Sequence, residues 1–289
     1  MAAALEATGD YRVLRRLQPR SVVTPLPPGT KTWLGIMLDT ETTGLDPARD
    51  EIIELAMLPF IYGRDGTIYD IREPFQGLRE PSKPIPPEVT ALTGITDEMV
   101  AGHSIDPDEV AAFAAPASLV IAHNAGFDRR FMERFSDVFT TKAWACSQTQ
   151  VPWAEEGFEG TKLGYLLAGC GFFHGAHRAV DDCRAAVEIL AHPLPKSGAP
   201  AMSKLLEAAR TATCRVWADG APFGLKDALK ARGYKWNDGS DGRLKAWFTD
   251  VVDGKLDAEL AYLRAEIYQR EVDVPVTRIE AYDRFSERV

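Results

Sequence analysis

Two acids, Asp39 and Glu41, close the run Trp33-Leu34-Gly35-Ile36-Met37-Leu38, and this junction constrains the fold more than any other feature of the chain. A run that is apolar throughout, rather than at every second position, fits a strand covered on both faces. A sheet lying between layers of helices supplies that setting. Side chains two residues apart on a strand share a face, so Asp39 and Glu41 project together. Neighbouring carboxylates repel, and burying them costs on the order of several kcal/mol unless a cation neutralises them. The plain alternative is a solvated strand end running into the turn Thr43-Gly44-Leu45-Asp46-Pro47, because acids at strand ends are common.

The rest of the chain extends this pattern. A second apolar run, Ile52 to Ile61, is followed by the turn Gly63-Arg64-Asp65-Gly66 and a third strand near 67–75, which predicts an antiparallel meander. Pro86-Pro87-Glu88 opens a helix, and Leu119-Val120-Ile121-Ala122 supplies a fourth strand. Helices are expected near 126–136 and 178–191, with a short strand at 144–147 between them. Pro193, Pro195, Gly198 and Pro200 punctuate a linker. Residues 1–32 then read as an extended lead-in, 33–192 as an α/β domain, 193–211 as the linker and 212–289 as a small α+β module. In that module Gly233 stops a helix over 223–232, and strands near 234–236 and 245–248 flank the turn-forming residues 237–242. Leu256, Leu260, Leu263 and Ile267 recur at helical spacing.

Two further acidic clusters follow the first. In His123-Asn124-Ala125-Gly126-Phe127-Asp128, a helix would put Asp128 close to the stripe made by Phe127, Phe131 and Phe135, so the acid needs a partner. A first-turn Asp favoured by the helix dipole is the simpler reading of that segment alone. In His177-Arg178-Ala179-Val180-Asp181-Asp182, helical geometry turns Asp181 to solvent and leaves Asp182 nearer the apolar stripe. His177, at the start of that helix, is placed to accept a proton at neutral pH. Asp39, Glu41, Asp128 and Asp182 can therefore converge at one end of a mixed sheet. Oxygen donors of this kind suit Mg²⁺ or Mn²⁺ better than zinc, and two such ions serve phosphodiester hydrolysis. His174 and His177 form an H-x-x-H pair, but no third soft ligand lies near them in sequence and a zinc site is not expected.

The strings Asp39-Thr-Glu41-Thr-Thr-Gly-Leu45, His123-Asn-Ala-Gly-Phe127-Asp128 and His177-Arg-Ala-Val-Asp-Asp182 resemble, in order and spacing, the three motifs of DEDDh-type 3′-to-5′ exonucleases. The segment 85–99 is similar to the linking segment of relatives of the bacterial proofreading subunit epsilon. The resemblance covers about 33–191. It implies an RNase H-like mixed five-stranded sheet flanked by helices, two Mg²⁺ ions (Mn²⁺ able to substitute) on Asp39, Glu41, Asp128 and Asp182, and His177 as general base. It also implies that Thr42, Thr43, Gly44, Asn124 and Phe127 hold the terminal nucleotide. The implied partner is a nucleic acid with a free 3′ end, single-stranded DNA ahead of RNA. A weakly catalytic nucleic-acid-binding scaffold is the alternative of a different class. No glutamine-plus-aromatic clamp-binding peptide follows Leu194, and nothing identifies a polymerase or helicase partner.

The formal net charge of −9 argues against blanket neutralisation of phosphates, so contact with nucleic acid must be local. Residues 215–250 reverse the sign, with seven Lys or Arg against five Asp, and interleave them with Tyr234, Trp236, Trp247 and Phe248. Such a pattern serves base stacking, or else it fills the core of a small module; both readings stand on sequence alone. Four scattered cysteines without a C-x-x-C pair, no secretory signal and no long apolar stretch lead to the expectation of a soluble cytoplasmic protein with no membrane contact.

Overall fold

The doubly covered strand is β1 (Thr32–Thr42), which pairs antiparallel with β2 (Ile52–Gly63) along its whole length. In the computed structural model, which describes residues 1–289, the chain forms two compact units: 1–208 with 285–288, and 209–284 with 289. β2 pairs on its other side with β3 (Ile68–Ile71) and β4 (Phe75–Leu78). The single third strand expected over 67–75 is thus two strands. Residues 72–74 separate them, and Pro74 has no N–H to contribute to a ladder. The sheet has six strands rather than five.

After α1 (Pro87–Thr93), α2 (Asp97–Val100) and α3 (Pro107–Ala114), β5 (Leu119–Ala122) lies parallel to β1. Next come α4 (Ala125–Phe135) and β6 (Trp144–Cys146), the latter parallel to β5. The strand order is β3-β2-β1-β5-β6, with β4 beside β2. The unit also has a short helix, Ala2–Glu6, at the start of the expected extended lead-in, together with α5 (Leu163–Gly169), α6 (Ala179–Ala191) and most of α7 (Ala201–Arg210).

Alternation along β1 divides the work of its two faces. Ile36 and Leu38 join a core with Phe131 and Met132 of α4, Phe139 and Trp144. On the other face α6 packs down, and Cys183 Sγ donates to the carbonyl of Met37 at 3.4 Å. The lead-in is tied to this unit: Arg15–Arg16 pair with Phe172–Phe173, and Arg20 meets Glu188 at 2.7 Å. Residues 285–288 return to α4. There Glu133, itself paired with the buried Arg129 at 2.7 Å, accepts from Ser286 Oγ at 2.7 Å and from Arg288 at 3.2 Å.

The second unit contains β7 (Thr213–Ala218), α8 (Lys226–Ala231), β8 (Lys235–Trp236), β9 (Trp247–Val252), α9 (Leu256–Tyr262) and β10 (Val276–Ile279). Its sheet runs β8-β9-β7-β10, antiparallel throughout. The expected hairpin is present as β8 and β9. The central β7 and the outer β10 were not anticipated. Val216, Ala218, Leu229, Tyr234, Leu263 and Ile267 form the core. No helix in the chain is long and apolar enough to cross a membrane.

The stretch 193–211, read from sequence as a linker, contains α7, whose first turn presses on the β2–β3 turn. A Cβ at Gly66, where φ is +87°, would lie 2.4 Å from the backbone N of Ser203. At Gly171, φ is +88° but nothing lies within 4 Å. Gly66→Ala should therefore cost about 1–3 kcal/mol more than Gly171→Ala, the difference being overpacking added to a common backbone penalty. Urea unfolding of the two variants measures this, and equal midpoints would show that α7 yields freely.

Candidate metal centre

The C-terminal end of β1 carries two of the acids of a three-carboxylate cluster. Met37, Asp39 and Glu41 share the face on which α6 packs, whereas Thr40 shares the opposite face with Leu38. Carboxylate oxygens of Asp39, Glu41 and Asp182 all lie within 4.8 Å of one another. Next to Glu41 the β1–β2 register shifts, so that Glu41 faces Glu54 but Thr42 faces Ile52. Such an irregularity ends regular pairing and re-aims side chains. Asp182 belongs to the first turn of α6 and sits over this strand end.

Glu54 fixes that helix. It is 4% exposed on β2, and its carboxylate accepts from the backbone N of Ala179 at 3.0 Å and from Arg178 at 2.9 Å. An acid at a helix N-terminus satisfies an orphan N–H and complements the dipole. Glu54 thereby ties β2 to the start of α6, and with it the position of Asp182 relative to Glu41. Asp181 points away and pairs with Arg184 at 3.0 Å, as its helical phase predicted.

Asp128 reaches β1 from the other face. It is 3% exposed and accepts from the backbone N and Oγ1 of Thr40, at 3.1 and 2.9 Å. It is not among the three acids whose oxygens cluster, although its charge is felt by Asp39. Both bonds from Thr40 are accepted by Oδ1 of Asp128. Phe127 rests against Phe131, ring centroids 5.0 Å apart. Asn124, exposed with φ 95°, precedes α4 without capping it.

The electrostatics reflect crowding. Burial, then the charges of Asp128, Asp182 and Glu41, hold the Asp39 pKa well above the ordinary carboxylate range. Burial and the charge of Asp182 lift Glu41 from 4.5 to about 8. Burial raises Asp128 to about 7, against the opposing bonds from Thr40. This donor set fits a divalent cation. Asp39 and Glu41 are held toward their protonated forms by burial and by neighbouring negative charge, which a bound cation would relieve, and all the donors of the three-acid cluster are hard oxygens.

The loop after β1 is braced internally. Thr42 Oγ1 donates to the Gly44 carbonyl at 2.6 Å, and Thr43 Oγ1 accepts from the backbone N of Glu51 at 2.9 Å. A Cβ at Gly44 would meet the Asp50 carboxylate at 2.5 Å, so a larger residue there would have to displace the Asp50 side chain. His123 is fixed by Ser147 and by the Thr161 carbonyl, each at 2.8 Å.

Sequence reasoning singled out His177, which is exposed, with φ 63° in the loop before α6. The histidine that meets an acid is His174, whose Nε2 lies 2.7 Å from Asp182 Oδ1. His174 entered the sequence reading only as half of the H-x-x-H pair. Glu54 was missed altogether, because in sequence it is one charge inside an apolar run. That position was the available signal: a lone acid in a doubly covered strand must have a partner.

A family model described as Exonuclease (RNase_T) matches residues 36–190, more than half of the chain. The chain is similar to the DNA polymerase III subunit epsilon of Treponema pallidum, 31% identical over 191 residues that cover 58% of this chain and 85% of that protein. It is similar to a PolC-type DNA polymerase III of Thermotoga petrophila at 30% identity over 170 residues, 53% of this chain but 11% of the polymerase. Among solved structures it is similar to E. coli exonuclease I in a complex with single-stranded DNA, with a TM-score of 0.51 and 16% identity, over 87% of this chain and 64% of that one. At that identity the likeness is one of fold.

Two outcomes follow from the geometry. Glu54→Gln should destabilise the protein by about 1–3 kcal/mol in urea unfolding, because it removes the charge that Arg178 and Ala179 share. An unchanged midpoint would mean that the tie is incidental. Glu41 and Asp128 keep their protons to higher pH when folded than when unfolded, so their contribution is complete below about pH 4 and is lost as pH rises toward 8. Metal-free protein should therefore lose thermal stability across that range. Added Mg²⁺ should raise the melting temperature more at pH 8 than at pH 5, where protons compete, and a pH-independent shift would contradict the site.

Proposed function

The chain belongs to the RNase_T exonuclease family, and on that footing we propose that it is a metal-dependent 3′-to-5′ exonuclease that removes nucleotides singly from a DNA 3′ end and releases nucleoside 5′-monophosphates. The observation that carries this reading is the meeting of Asp39, Glu41 and Asp182 at the strand end. These three, with Asp128 beside them, would hold two Mg²⁺ ions, for which Mn²⁺ can substitute. When bound, such ions lower the pKa of water and stabilise the leaving oxygen of an in-line displacement.

The remaining steps fall to the protein. His177 accepts the proton of the attacking water; its exposure on a loop suits a side chain that must meet substrate and then return a proton to solvent. Thr42, Thr43 and Gly44 offer a braced loop for the terminal nucleotide, and Asn124 and Phe127 line the approach from α4. His174 positions Asp182 through its 2.7 Å contact. The preference for DNA is supported by the similarity to an epsilon subunit.

The test uses matched DNA and RNA oligonucleotides, blocked at either end, with Mg²⁺ or with chelator. Metal-dependent loss only from an open DNA 3′ end is expected, and Asp182→Ala should abolish it. His177→Ala should lower kcat by about 10²–10⁴, with a much smaller effect for His174→Ala. The reverse order would transfer the role of base to His174. Faster loss of RNA would change the substrate, and binding without any digestion would overturn the enzymatic reading.

A further inference from the structure

The second unit commits only part of its aromatic inventory to its core. Tyr234 is 3% exposed and hydrogen-bonds Glu259, whereas Phe223 is 80% and Trp236 50% exposed. Exposed aromatics of this size are unfavourable in water unless they meet something. Here they are joined by lysines. Lys226 Nζ lies 4.3 Å from the centre of the Phe223 ring, and Lys230 Nζ lies 5.8 Å from that of Trp247, whose ring is 5.6 Å from Trp236. Lys226 and Lys230 are four residues apart on α8 and so lie on one side of it. The contacts therefore run as a strip from Phe223 along α8 to Trp247 and Trp236.

Charge separates this strip from the rest of the unit. The arginines near it are neutralised, Arg232 by Glu259 at 2.9 Å and Arg243 by Asp241 at 2.6 Å. The ion pairs of this segment are made by its arginines, and Lys226, Lys230 and the exposed Lys235 take no part in them. Over 223–248 there are six Lys or Arg against three Asp, a local excess of positive charge in a chain of net charge −9.

We propose that Phe223, Lys226, Lys230, Lys235, Trp236 and Trp247 form a surface that binds single-stranded nucleic acid, separate from the carboxylate centre. Open aromatic faces take unpaired bases, and unpaired ammonium groups beside them take the connecting phosphates. A duplex hides its base faces and leaves the aromatics unused. An acidic peptide would answer the lysines but not Phe223 and Trp236. Stacking accepts any base, so the surface recognises a strand rather than a sequence.

The experiment uses the full chain with chelator, so that binding is read without hydrolysis and the result is independent of whether the protein is a nuclease. Fluorescence anisotropy with labelled dT30 and rU30 is measured over a salt series. Lys226→Glu with Lys230→Glu should weaken binding at least tenfold and reduce the slope of log K against log salt by about 1.4, two contacts at about 0.7 each. Trp236→Ala should weaken binding roughly tenfold, and Trp236→Phe should restore most of it. Melting temperatures should match the parent, because the substituted side chains lie at the surface. A loss on both probes, or on one, supports the surface and says which sugar it takes. Unchanged affinity and unchanged salt slope in both the lysine pair and Trp236→Ala would overturn it.

Discussion

Carboxylates brought together at one end of a sheet push each other apart, and much of the first unit is arranged to hold them in place. Asp39 and Glu41 are fixed by the strand itself and cannot separate without breaking β1–β2 pairing. Asp128 is steadied by two bonds from Thr40, Asp182 by His174 and the backbone N of Arg178, and the neighbouring Glu54 by Arg178 and Ala179. None of these contacts removes the repulsion among Asp39, Glu41 and Asp182. They fix geometry and leave the charge to be met by something bound. A site built in this way would be organised before any cation arrived, because the energy of folding is what keeps the acids close.

The two faces of β1 explain how one strand serves two helices. Its even-numbered residues anchor the core under α4, and its odd-numbered residues meet α6. Asp128 and Asp182 thus approach the same strand end from opposite sides, one through Thr40 and the other through the cluster with Asp39 and Glu41. The sheet separates the two helices and at the same time sets the distance between their acids.

Much of this was legible in the sequence, for identifiable reasons. Apolar runs marked β1, β2 and β5, the second interrupted only by Glu54, and the helical phase of Asp181 and Asp182 told the solvated acid from the inward one. What escaped notice depended on tertiary contact. The split between β3 and β4 needed the position of Pro74 relative to its partner strand. β7 and β10 carry too weak a periodicity to stand out, since Arg215 and Arg278 interrupt their apolar residues. His174 is eight residues from Asp182, and Glu54 is 125 residues from Ala179, so neither pairing follows from local spacing. The aromatics of the second unit divided between core and surface, which no count of tryptophans decides.

The clamp of Ser286 and Arg288 on Glu133 has a bearing on how the chain is made. The helix that carries Asp128 is braced by residues encoded more than 150 positions downstream. On a ribosome, the first unit emerges and collapses while that brace is still unsynthesised, and the whole second unit must pass before it can be set. The first unit is thus completed only after the second has been made, and a shortened chain that ends after α7 would lack this brace on the helix that carries Asp128.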